Sequence, residues 1–275
     1  MSATAPSDPA TVTRPGTPMI GPYSVHQMDD FYAALSVGQV KPTGVMNYIQ
    51  RLFVAERCAP QARLVDVCCG RGLQLPALYR YAPHIGSYTG LDIAAANLAE
   101  ARTRIRQLGQ HYGQPAFTID LIECDVARPW PVPGPFDIAV YTSALEHLPR
   151  EQAVASIRHT AAALAPAGRL LLSTPNTPGP PPRVLQHRVH VYEWHHSELA
   201  PVLAEAGLVI EDVIGLLSPP DETARAAVAG GFGDGAARWY DRLREVVPAP
   251  FLDSVAAAAI PGVAAELLYV CTRRA

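Results

Sequence analysis

The sequence predicts an α/β fold built on a parallel sheet, and three observations carry that prediction. From Arg63 onward, short apolar runs alternate with helical patterns, the rhythm of βαβ units. Acidic residues stand at the ends of the first three strand candidates, along the edge where open α/β sheets bind ligands. The chain has 275 residues, of which 49% are hydrophobic and 17% charged. That is enough apolar material for one large core, and too little charge for a disordered chain.

Residues 1–20, rich in Pro, Thr, Ala and Ser without periodicity, read as a disordered tail. Residues 21–60 carry two helical patterns, 26–38 and 43–58, in which Val45, Tyr48, Ile49, Leu52 and Phe53 recur at spacings of three and four. The domain of 61–275 follows. Its strand candidates are 64–68, 87–91, 118–123, 136–141, 169–173, 208–214 and 267–272. Helices are expected over 72–81, 94–111, 150–165 and 197–206, the last opened by Ser197 as N-cap. The stretch 217–264 is too long for a plain connection between strands six and seven, and 221–229 and 236–247 look helical. We read it as a helical insertion and part of a lid.

Composition removes several chemistries. Lys41 is the sole lysine and is followed by Pro42, so no phosphate-binding Gly-Lys-Ser/Thr loop is present, and Schiff-base catalysis would rest on that one residue. A net charge of −3 offers no field for a polyanion, which makes nucleic acid an unfavoured partner. Five cysteines without a C-x-x-C pair argue against a disulfide framework and for a reducing, cytoplasmic setting. No signal sequence or membrane-spanning run is visible.

The chemistry-bearing segment begins at the first strand end, Asp66-Val67-Cys68-Cys69-Gly70-Arg71-Gly72. A glycine turn there lets backbone approach a ligand, with helix N–H groups aimed at it. The second strand ends at Asp92, where a carboxylate can accept both hydroxyls of a ribose, and the third is followed by Asp125, where one can accept an exocyclic amine. Three acids in this spacing point to a nucleoside ligand.

The set resembles the class I S-adenosylmethionine-dependent methyltransferases, whose first motif is usually acid-x-Gly-x-Gly-x-Gly. Cys68 replaces the first glycine. The segments 136–148 and 164–173 resemble the family's fourth strand and its fifth strand with preceding turn, and Glu146-His147-Leu148 looks like the ubiquinone-biosynthesis and related small-molecule methyltransferases. The resemblance implies a Rossmann-like, doubly wound sheet of seven strands with the last antiparallel, and S-adenosylmethionine as cofactor, leaving S-adenosylhomocysteine. It implies that Asp66 and Cys68 neighbour the methionine end and that Gly70 and Gly72 allow close approach. Asp92 would hold the ribose, Ile93 and Val126 would sandwich the adenine, Asp125 would meet its amine, and the Thr142 backbone would face the methionine moiety. The amino-terminal helices, with Tyr23, would cover the site as a lid.

Methyl transfer is an in-line displacement, so a base is needed only where the nucleophile must lose a proton. His147 is the candidate, with Glu146 to orient it. The segment 186–196 carries four histidines, but its short spacings match no zinc pattern, and we expect no metal there. His190 and Tyr192, with Tyr23, are read instead as an acceptor wall. The expected function is O- or N-methylation of a small molecule by a monomer or homodimer without a membrane partner. The Ala-, Pro- and Arg-rich composition suggests a GC-rich bacterial genome and natural-product chemistry. RNA or protein methylation is the alternative reading; a silent nucleoside-binding module and an NAD-dependent oxidoreductase are the further ones.

Overall fold

The computed structural model describes residues 42–179, 181–218 and 222–274. Tyr23, the 1–20 tail and the 26–38 helix fall outside them. Seven strands form one sheet in the order β3-β2-β1-β4-β5-β7-β6. They are β1 (Arg63–Val67), β2 (Ser87–Asp92), β3 (Thr118–Glu123), β4 (Phe136–Thr142), β5 (Leu164–Pro175), β6 (Leu208–Leu216) and β7 (Glu266–Arg273). The pairs among β3, β2, β1, β4 and β5 are parallel. β7 lies antiparallel to both of its neighbours, β5 and β6.

The helices are α1 (Pro42–Glu56), α2 (Leu75–Tyr81), α3 (Ala95–Tyr112), α4 (Arg150–Ala163), α5 (His196–Glu205), α6 (Glu222–Arg244) and α7 (Ala249–Ala259). Successive strand residues face opposite sides of the sheet and supply two cores. Val65, Ala139, Leu170, Leu172 and Tyr269 pack with Ala153 and Ile157 of α4 and Leu199 and Leu203 of α5. Leu64, Val140, Leu171 and Leu268 pack with Met46 and Val54 of α1 and with Leu75 and Leu78 of α2. Strands with buried residues on both faces explain why the segments read as continuous apolar runs.

Several boundaries differ from the sequence reading. β1 stops at Val67, because Cys68 takes a left-handed φ of 58°. α2 starts at Leu75 and not 72, since Gly70 and Gly72 sit at φ 55° and 69° and hold the chain in a turn. α5 is capped by His195 and not Ser197: the His195 side chain accepts from the Ser197 N–H, and Glu198 completes a capping box. The insertion between β6 and β7 is helical as expected: Gly233, at φ 81° and ψ 173°, breaks α6 into two helical segments that match the 221–229 and 236–247 patterns, and α7 adds a helix that the sequence reading omits. No helix among the described residues is long and apolar enough to cross a membrane.

α7 lies directly on the β6 backbone, and Gly215 makes this approach possible. A Cβ at Gly215 would stand 2.1 Å from the Ala257 carbonyl oxygen. Gly215→Ala is therefore expected to push α7 off the sheet and cost about 2 kcal/mol, the usual scale of overpacking. Urea unfolding of the variant checks this, and an unchanged midpoint would contradict it.

Candidate functional site

The parallel strands all end at one edge, and the acids of the sequence motif meet there. Asp66 of β1 faces the α1 side with 5% exposure and accepts from the Tyr88 hydroxyl at 2.7 Å. Burial pushes its carboxyl up to about 7, against the pull of the Tyr88 hydrogen bond and of the Arg51 guanidinium on α1. Arg51 is half-buried, and nothing in its local sequence separates it from an ordinary helix arginine.

Asp92 at the end of β2 organises the glycine turn. Its Oδ2 accepts from the Gly70 N–H at 2.8 Å, and its Oδ1 accepts from the Ala94 N–H at 2.8 Å and from Asn97 Nδ2 at 3.1 Å. One carboxylate thus ties the first-strand turn to the start of α3. Gly72 packs tightly on that helix, since a Cβ there would meet Leu75 Cδ1 at 2.9 Å and Ala101 Cβ at 3.3 Å. Cys68 holds its left-handed backbone at a cost of about 1–3 kcal/mol, and burial pushes its thiol up to about 12, so it stays neutral. Asp125 accepts from the Ala127 N–H at 3.0 Å and from Arg128 Nε at 3.2 Å. Of the pair expected to sandwich adenine, Ile93 stands 67% exposed while Val126 sits in the core at 5%.

The turn after β4 carries the expected catalytic residues. Ser143, next to Thr142, has a left-handed φ of 49° and leads into a short turn over Leu145–His147. Glu146 points inward with 2% exposure, and burial pushes its carboxyl up to about 8. It does not orient His147, whose Nδ1–H donates instead to the Val189 carbonyl at 3.2 Å. The Glu146 carbonyl receives the N–H groups of Val191 and Tyr192 and so pins the histidine-bearing loop to the site.

That loop brings His190 to His147, with ring centroids 5.2 Å apart. His190 Nδ1–H donates to Glu193 Oε1 at 2.5 Å, and Glu193 also accepts from the Gln186 N–H at 2.6 Å. Ligand atoms of Glu146, His147 and His190 lie within 4.8 Å of one another. Glu146 and His147 come from the turn after β4 and His190 from the loop more than 40 residues on, so no local spacing announces the group. The Tyr192 hydroxyl donates to Glu198 at 2.5 Å, and its ring packs edge-on against Trp194.

The methyltransferase-domain family matches residues 42–213, more than half of the chain. This chain belongs to that family. The methyltransferase is 31% identical over 216 residues to a ubiquinone biosynthesis O-methyltransferase of Xanthomonas axonopodis pv. citri (strain 306), covering 71% of this chain and 86% of that one. An S-adenosylmethionine-dependent methyltransferase from Mesorhizobium loti superposes with a TM-score of 0.54 at 17% identity, covering 85% of this chain and 100% of that one. The magnesium protoporphyrin IX methyltransferase of Synechocystis PCC 6803, solved with bound S-adenosylmethionine, gives a TM-score of 0.50 at 16% identity, covering 92% of this chain and 86% of that one. The protein is an S-adenosylmethionine-dependent methyltransferase with the Rossmann-like fold of that class.

The raised Asp66 carboxyl has a stability consequence. A carboxyl whose folded pKa exceeds its unfolded value of about 3.9 favours folding fully only below that value, and the contribution is lost as pH rises through about 7. Asp66→Asn should therefore flatten the fall in melting temperature between pH 4 and pH 7.5. Parallel slopes for variant and wild type in thermal melts across that range would contradict it.

Proposed function

We propose that the methyltransferase transfers a methyl group to an oxygen of a small molecule, with its cofactor lying across the ends of β1, β2 and β4. The observation that carries the cofactor placement is the row of acids, Asp66, Asp92 and Asp125, at or just beyond the ends of three adjacent strands beside a turn with two left-handed glycines. These residues fit a zwitterionic nucleoside. Asp66 meets an ammonium group, Arg51 beside it suits a carboxylate, Asp92 accepts ribose hydroxyls, and the exposed Ile93 covers an adenine face. When bound, S-adenosylmethionine supplies an electrophilic methyl on a sulfonium. The chain's own task is then to hold an acceptor oxygen in line about 3 Å from that carbon and to exclude water.

The naming of the relatives as O-methyltransferases supports oxygen over nitrogen. A small acceptor is supported by an apolar cavity of about 320 Å³ between α1, the end of β6 and α7, lined by Met46, Ile49, Phe53, Ile214, Leu216 and Ala258. Leu216 pairs with Glu266, and Glu266 pairs with Pro175 at the end of β5, so the cavity opens on the same sheet face and edge as Asp66. A ring hydroxyl near Thr142 and an apolar body toward this cavity satisfy both. His147 is exposed with Nδ1 committed to Val189, so Nε2 is its atom to take the hydroxyl proton.

A second reading rests on the convergence of Glu146, His147 and His190. Each histidine has its Nδ1 bonded to another group, Val189 for one and Glu193 for the other, so Nε2 is the atom each would offer an ion. A divalent cation held there would lower the acceptor hydroxyl's pKa and take over the role of a base.

Three outcomes are expected. Asp92→Ala should weaken S-adenosylhomocysteine binding by about 10–100-fold, the value of a lost charge-assisted hydrogen bond or two; calorimetric titration measures it. Cofactor affinity should rise with pH through about 7, as Asp66 ionises and can receive an ammonium, and Asp66→Asn should remove that dependence. Under the second reading, chelation should abolish S-adenosylhomocysteine formation with phenolic acceptors, and Mg²⁺ or Zn²⁺ should restore it in the wild type but not in His190→Ala. Turnover that is indifferent to chelation leaves His147 as the base.

A further inference from the structure

Glu266 is a buried carboxylate to which neither reading above gives a role. It is the first residue of β7, and because β7 runs against its neighbours, its beginning lies at the edge where the parallel strands end. Its Oε1 accepts from the Ser143 hydroxyl at 2.8 Å and from the Ser173 hydroxyl at 2.5 Å. The Ser173 oxygen in turn accepts from the Ser143 N–H at 3.0 Å, and the Ser173 carbonyl lies 3.2 Å from the same N–H. Both polar groups that Ser143 can donate are therefore committed to one small network.

Ser143 needs such a network. Its φ of 49° lies in the left-handed region that L side chains avoid, and it joins Thr142 to the turn that carries Glu146 and His147. A rotation at this one residue would redirect the Thr142 carbonyl on one side and both candidate catalytic residues on the other. A carboxyl oxygen carries two lone pairs and takes both serine hydroxyls at once, whatever its charge, which suits the task.

We propose that Glu266 is a positioning residue for methyl transfer: by accepting the Ser143 and Ser173 hydroxyls it holds the turn after β4 in its left-handed form, and so places the Thr142 backbone against the cofactor. This rests on the reading that Thr142 lines the cofactor's methionine end. The side chain of Glu266 touches no reacting atom. It acts from more than 120 residues beyond the turn it orders.

The test is calorimetric titration of the full chain with S-adenosylhomocysteine. Glu266→Ala and Ser143→Ala are each expected to weaken binding at least fivefold. Ser143→Gly, which adopts a left-handed φ unaided, should retain more affinity than Ser143→Ala, although both lack the hydroxyl. In the Ser143→Gly background the loss from Glu266→Ala should shrink below twofold, a coupling that a general packing defect would not produce. Wild-type affinity in Glu266→Ala, or the same loss with serine and with glycine at 143, overturns the proposal. Should Glu266→Ala fail to fold, equal affinities of Ser143→Ala and Ser143→Gly overturn it. Asp92→Ala is the control: if it weakens binding while Glu266→Ala does not, the Glu266 role alone fails; if it has no effect, the cofactor placement fails and takes this proposal with it.

Discussion

A carboxylate removed from water must be met by donors or lose its charge, and the carboxyl edge of this sheet is arranged around that requirement. Asp92 meets it with the Gly70 and Ala94 N–H groups, which joins the glycine turn to α3. Glu266 meets it with two serine hydroxyls and so joins β7 to β4 and β5. Glu193, fully buried, meets it in part with the Gln186 N–H and His190, which folds the loop after β5 back over the site. Each acid fixes one wall of the same space. Asp66 has fewer donors, a single tyrosine hydroxyl, and burial raises its carboxyl as it raises those of Glu146 and Glu266.

The two-residue period of the strands decides which side chains share that space. Residues directly paired across neighbouring strands lie on one face, so Thr142 is beside Ser173 and Leu216 beside Glu266. Asp66 lies on this face too, because Leu64, two residues before it, packs with α1. The opposite face of the same strands packs against α4 and α5 and carries no charged group of the site. The antiparallel β7 completes the row, since a parallel strand in its place would put its first residue at the far edge.

Two strained residues lie in the same region. Cys68 and Ser143, both left-handed without being glycine, follow directly on the ends of β1 and β4. These are adjacent strands at which the chain leaves the sheet in opposite directions, the crevice where doubly wound sheets take ligands. The neutral Cys68 thiol acts there as a small filler, packed against the core beside Tyr141, and the turn survives its substitution for glycine. The loop from 176 to 195 is held by more conventional means. Arg183 bonds the Glu193 carbonyl and reaches Glu198 at 2.9 Å, and the Tyr192 ring lies 5.3 Å from its guanidinium carbon.

The sequence by itself determined the strand and helix rhythm, the class of the sheet and the acids at Asp66, Asp92 and Asp125, because these depend on local periodicity and on motifs a few residues long. It also pointed to His147 and His190 separately. Tertiary structure alone decided that those two histidines meet and that Glu146 turns inward and leaves His147 to Val189. It alone placed Arg51 beside Asp66 and Glu266 beneath Ser143. The reason is the same in each case: these contacts join residues far apart in the chain. Their geometry is set by strand register and by the direction of β7, and neither leaves a mark in the local pattern of residues.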